Sequence, residues 1–243
     1  MKKNSFIFRV TFGSLVVIFL TAGSCYAAKS KDEQAFEKLL TQTNALFSRG
    51  LDYYKKLSGD AYAKEAKQQQ EKFDALVLSL KQFSLDNPRS VYADDADYIF
   101  ILFWGYAPGR YIQEARAFLK EHPGASLEPV TLNKLQILSS FVKEAGLEQT
   151  IKTDIAQFLY SLKKYEESAR ESRGVIDYLN SMALNEKGRQ LLGLNYFILM
   201  KDYESLLRND EVRRVCKEAI VKLKSGKDME DFVKKLKELD GLR

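Results

Sequence analysis

Two stretches decide the fold: FSLDNPRS, Phe83 to Ser90, and FLKEHPGA, Phe118 to Ala125, which align at an offset of 35 residues. Each closes a helical pattern on an aromatic, brings a proline five residues later, and then supplies a small residue to open the next helix. Proline cannot continue a helix and restricts the residue before it, so both stretches read as the same interhelical turn. A turn recurring at this interval is the mark of a stacked-repeat architecture.

Working outward, Phe158-Leu-Tyr-Ser-Leu-Lys-Lys-Tyr165 aligns with Tyr196-Phe-Ile-Leu-Met-Lys-Asp-Tyr203 at an offset of 38. Tyr111-Ile-Gln-Glu-Ala115-Arg-Ala-Phe118 follows the aromatic-then-small pattern of Tyr165 to Ala169. From Asp32 onward, Leu, Ala, Phe and Tyr recur at three- and four-residue spacing, and strand-like alternation of useful length is absent. Ala35, Leu39, Leu40, Leu46 and Phe47 are expected to form the apolar stripe of a first helix, Asp32 to Leu57, followed by a second over Ala61 to Leu85. Breaks are predicted at Ser58-Gly59-Asp60, Asp86-Asn87-Pro88, Ala107-Pro108-Gly109, His122-Pro123-Gly124, Gly146 and Lys224-Ser225-Gly226. The predicted class is all-α: an α-solenoid of about ten helices in hairpins, with small residues such as Ala96 and Ala115 allowing close approach.

The run Pro88-Arg-Ser90-Val-Tyr92-Ala93-Asp-Asp-Ala96-Asp-Tyr98, with Gly109 to Phe118 and His122-Pro123, resembles the tetratricopeptide (TPR) pattern of bacterial envelope proteins. It is similar to the repeats of the TPR lipoprotein of the outer-membrane β-barrel assembly machinery and of the Tol-Pal-associated periplasmic TPR protein. The likeness covers Phe83 to Leu135 closely and the later repeats in degenerate form. It implies a TPR-like helical scaffold with a binding role and names no partner.

The N-terminus carries Lys2, Lys3 and Arg9, then the apolar run Val10 to Leu20, then small residues, which is the layout of a secretory signal peptide with cleavage after Ala27. The domain organisation expected is therefore 1–27 as signal peptide and 28–243 as the helical repeat domain. Ala22-Gly23-Ser24-Cys25 also loosely resembles a lipobox, though the usual leucine three places before the cysteine is missing. A periplasmic chain and an outer-membrane lipoprotein anchored through Cys25 both stay open. The full chain has 38 Lys and Arg against 33 Asp and Glu; losing Lys2, Lys3 and Arg9 leaves 35 against 33, a balance near +2. Nucleic acid is not an expected partner on that balance.

Asp94, Asp95 and Asp97 lie in the first turns of a helix opening near Tyr92, where the helix dipole favours negative charge; a metal site would need converging ligands that the sequence does not mark. His122 stands where Asn87 stands in the previous repeat and is expected to be a turn residue. Cys216 lies on a helix near Arg213 and Arg214 and is expected to be an inert, partly buried thiol. Spacing marks no Ser/His/Asp or Cys/His set, no metal and no cofactor. The segment Phe103-Trp104-Gly105-Tyr106-Ala107-Pro108-Gly109-Arg110-Tyr111 concentrates the sole tryptophan, two tyrosines and an arginine at one turn. These are residue types that dominate binding energy, which makes Trp104, Tyr106 and Arg110 the candidate partner-binding residues, the last two as an exposed pair.

The function expected is a non-enzymatic, exported scaffold or adaptor that binds an envelope protein or peptide. A basic stretch from Arg213 to Lys237 offers either a solvated face or a peripheral contact with anionic lipid. Two alternatives stay open, a cell-wall-acting enzyme on a helical scaffold and a periplasmic small-molecule carrier holding its ligand among Trp104 and Tyr106.

Overall fold

Both members of the 35-residue alignment form the same turn. In the computed structural model, Asn87 N–H bonds the Phe83 carbonyl at 3.0 Å and Ser90 N–H the Asn87 carbonyl at 2.9 Å; the corresponding bonds, His122 to Phe118 and Ala125 to His122, are 2.8 and 3.1 Å. Phe83 and Phe118 are both buried, each anchoring the last turn of its helix.

The structure describes residues 29–47, 59–134, 142–143, 145–223 and 227–241. The expected signal peptide with its cleavage site and Cys25 lie outside these residues, as do 48–57 of the expected first helix, Ser58 and Lys224-Ser225-Gly226 of the expected breaks, and Leu135. Among the described residues the fold is all-α with no strand, and no helix is long and apolar enough to cross a membrane. In chain order the helices are α1 (Lys31–Phe47), α2 (Gly59–Asp86), α3 (Ala93–Leu102), a 3-10 segment (Phe103–Tyr106), α4 (Pro108–Glu121), α5 (Pro129–Lys134), α6 (Leu147–Ser161), α7 (Tyr165–Asn180), α8 (Glu186–Ser205), α9 (Asn209–Leu223) and α10 (Lys227–Leu239).

Two compact units divide the chain, one up to Ser79 and one from Leu80 onward. In the first unit, α1 buries Phe36, Leu39, Leu40 and Thr43, a stripe at i, i+3, i+4 and i+7. The stripe expected from the sequence is shifted by this result, because Ala35 is exposed and Thr43 is fully buried with its hydroxyl donating to the Leu39 carbonyl at 2.9 Å. A threonine can sit on a buried helix face when its hydroxyl is satisfied by its own backbone.

In the second unit, α3 packs on α4, the helices from α6 to α10 each pack on their successor, and α4, α6, α8 and α10 pack in turn on one another. The hairpins α3–α4, α6–α7 and α8–α9 are joined by α4 against α6, α6 against α8 and α8 against α10. This is the solenoid arrangement, in which no hairpin buries its apolar face alone. Ala96 and Ala115 are fully buried, as expected of positions reserved for close approach. One core cluster runs through α7 to α10 and includes Val175, Ile176, Tyr196, Leu199, Val212 and Phe232. Tyr196 also ties three helices together: its hydroxyl donates to Glu218 at 2.9 Å and accepts from Asn180, while Arg173 grips both Glu218 oxygens at 3.0 and 2.9 Å.

The 38-residue alignment does not hold as a structural equivalence. Phe158 to Tyr165 spans the end of α6, a turn and the start of α7, whereas Tyr196 to Tyr203 lies wholly inside the 20-residue α8. The equivalent turns are Leu162-Lys163-Lys164 and Leu206-Leu207-Arg208, offset by 44. At both, the helix ends in paired bonds, Lys164 N–H to Leu159 and Lys163 N–H to Tyr160, then Arg208 N–H to Tyr203 and Leu207 N–H to Glu204, all 2.9 or 3.0 Å. That is a Schellman ending, and its left-handed residue is Lys163 (φ 61) or Leu207 (φ 58) instead of the usual glycine.

Candidate functional site

Proline at position 108 shapes the candidate turn. It occupies the first turn of α4, where its missing N–H costs nothing, and holds Ala107 outside the helical region at φ −123°, ψ 79°. The end of α3 therefore tightens into the 3-10 segment, closed by Ala107 N–H on the Trp104 carbonyl at 2.8 Å. Phe103 turns inward and is buried. Trp104 is half-buried, its ring meeting Phe100 edge-on at 6.0 Å and 76°.

On that platform stand the two exposed residues. Tyr106 is 68 % exposed and its ring lies 6.0 Å from the indole. Arg110 places its guanidinium carbon 4.2 Å from the Trp104 ring centre, and its Nε donates to Glu114 at 3.0 Å. A cation over an indole at this distance contributes roughly 0.5–1 kcal/mol and, with the Glu114 bond, restrains the guanidinium. The indole N–H of Trp104 is buried and has no hydrogen-bond partner among the described residues. The structure thus brings the three expected residues together, with Trp104 supporting Tyr106 and Arg110.

The aspartates of the α3 start reach further than the helix dipole. Asp94 and Asp95 do lie in the first turn of α3, but Asp95 is fully buried and accepts from the Glu128 N–H at 3.2 and 3.1 Å and from the Thr131 hydroxyl at 2.5 Å. Burial pushes its carboxyl up to about 6, against the lowering effect of those two donors. Asp97, also buried, accepts from Ser84 at 2.7 Å and from Lys81 at 3.0 Å. His122 is a turn residue, its ring tilted 35° against Phe118 at 4.8 Å, with its nitrogens 3.6 Å from Asp94 and 3.3 Å from Asp97. No group of three or more His, Cys, Asp and Glu among the described residues is placed to hold a metal ion.

Two further acids were not singled out by the sequence. Tyr111 donates its hydroxyl to Asp154 at 2.8 Å, joining α4 to α6, and burial holds that carboxyl up at about 6 although the phenol lowers it. Asp202 on α8 is fully buried, and neither of its oxygens has a hydrogen-bond partner. Burial pushes it up to about 7; the neighbouring Ser168 hydroxyl, committed at 2.9 Å to the Ala156 carbonyl, offsets only part of that. The apolar residues Ile198, Leu199 and Leu206, at i−4, i−3 and i+4 of Asp202, were the available signal.

Cys216 is fully buried against Met200, and burial raises its thiol to about 11, so Arg213 and Arg214 do not activate it. Arg213 is spent on Asp210, Asp240 and the Leu239 carbonyl, and Lys235 on Glu204 and Glu238, so part of the basic stretch is matched within the fold. Within the first unit a groove of about 360 Å³ lies between α1 and α2, lined by Gln42, Leu46, Gln69, Lys72 and Leu76 among others; Trp104 and Tyr106 are not part of it. No protein-family model matches this chain, and no curated protein is similar to it at a significant level.

Proposed function

We propose that this protein is a non-enzymatic, exported adaptor of TPR-like hairpins that binds an envelope protein or peptide at the turn carrying Tyr106 and Arg110. One observation supports it above others: an exposed tyrosine and a stacked, half-exposed arginine share a tryptophan platform on a turn fixed between two packed helices. Rigid scaffolds present binding residues on such connections, and the cost of ordering them is met before the partner arrives.

The deciding experiment is quantitative binding of an identified partner, recovered by crosslinking in the native envelope, to the parent and to a Tyr106→Ala/Arg110→Ala double variant. Loss of roughly 2 kcal/mol or more, about 30-fold in Kd, is expected with helicity and melting temperature unchanged. Full affinity in a folded double variant refutes the assignment of the turn. Export is checked separately by mass spectrometry of the mature chain. An N-terminus at Ala28 supports a soluble periplasmic protein and a diacylated Cys25 a lipoprotein, while a retained Met1 is incompatible with both.

A further inference from the structure

We infer that the segment recognised at this turn presents a carboxylate side chain directly beside a bulky apolar one, the carboxylate seated on the outer edge of Arg110 and the apolar group against Tyr106. The inference rests on the binding role proposed above. The guanidinium is held over the Trp104 ring, and Glu114 engages Nε alone. Neither terminal nitrogen of Arg110 has a partner among the described residues, and the side chain is 51 % exposed. A planar fork held in this way offers a carboxylate two parallel N–H donors at reduced entropic cost.

The charge of the surroundings points the same way. The first turn of α4 contains no acidic residue, Ala107 supplies no side-chain cap, and the partial positive charge of the helix start adds to that of Arg110. Tyr106, 68 % exposed and 6.0 Å from the indole, provides an adjoining apolar face. The site is one cation with an acid at its side, not a basic cluster, so it suits a single carboxylate rather than a lipid surface or a nucleic-acid backbone.

The test is selection of phage-displayed random dodecapeptides on the full chain, with Arg110→Met and the Tyr106→Ala/Arg110→Ala double variant as parallel targets; methionine keeps an apolar stem over the indole. Enrichment of Asp or Glu next to aromatic or aliphatic residues is expected. In a synthetic copy of the leading peptide, changing the carboxylate to its amide should weaken binding about tenfold or more on the parent and less than about twofold on Arg110→Met. Peptides that need Tyr106 but contain no acid, or an amide form that binds as tightly, overturn the carboxylate inference while leaving the turn as the site. Peptides that bind the double variant equally, or no enrichment above it, overturn the inference together with the site.

Discussion

Replacing Asp202 with Asn should shift stability in the variant's favour, relative to the parent, increasingly as the pH rises. In the folded state burial pushes the carboxyl from its ordinary 3.8 to about 7, and the neighbouring Ser168 hydroxyl offsets only part of that. The folded chain therefore holds this proton more tightly than the unfolded one, and stability falls as pH climbs from about 4 through about 7 and then levels. A shift of about three units at 1.36 kcal/mol each sets the full cost near 4 kcal/mol, an upper figure because a buried site relaxes around its charge. At pH 5 only about 1.5 kcal/mol of that has developed, so roughly 2–3 kcal/mol separates pH 5 from pH 8. Asparagine keeps the shape and cannot ionise, though its own unpaired amide costs about 1–3 kcal/mol at either pH. Asp95 and Asp154, both near 6, shift parent and variant alike and cancel in the comparison. Urea denaturation followed by circular dichroism at pH 5 and pH 8 measures it. The variant should gain about 2–3 kcal/mol on the parent between the two pH values. A stability difference that is equal at pH 5 and pH 8 refutes the reasoning, since it would mean that Asp202 carries its charge in the folded state at no cost.

Ala115→Leu should overpack the α3–α4 hairpin and cost about 1–3 kcal/mol, because Ala115 is fully buried; an unchanged melting temperature would show that the close approach lies elsewhere. Leu207→Gly should raise the melting temperature by an amount equivalent to about 0.5–1 kcal/mol, since Leu207 takes φ 58° while 85 % exposed; a drop would mean that the leucine side chain makes a stabilising contact of its own.

What could be read from the sequence depended on whether a position announces its own geometry. Pro88 and Pro123 force their turns, so the 35-residue repeat could be followed down to single hydrogen bonds. Pro108 likewise fixed the candidate turn, and the exposure of Tyr106 and Arg110 on Trp104 followed from it. Lys163 and Leu207 announce nothing, because neither is the glycine or asparagine that normally ends a helix in the left-handed region; the backbone bonds of the Schellman ending impose the conformation instead. Aligning Tyr165 with Tyr203 on likeness of side chain then placed a turn inside α8. Polar residues on buried faces were the other obstacle. Thr43, Asp95 and Asp202 look like solvent positions by their own side chains, and the surrounding helices show that they are enclosed.

The reach of Asp95 has a consequence for how the chain can be divided. α5 opens on Pro129, with its start held by a carboxylate 33 residues earlier that grips the Glu128 N–H. A helix start that loses such a partner is left with an unsatisfied backbone N–H. Its instructions are therefore split between two places in the chain. Synthesis delivers the cap before the helix it serves, which suits folding in order from the N-terminus. A fragment beginning at Gly124 would possess the letters of α5 without the grip that makes them a helix, and the complementary fragment would keep a buried acid whose donors had been cut away. Neither piece is a module, although the turn at His122-Pro123-Gly124 between them looks in sequence like a natural place to separate one repeat from the next.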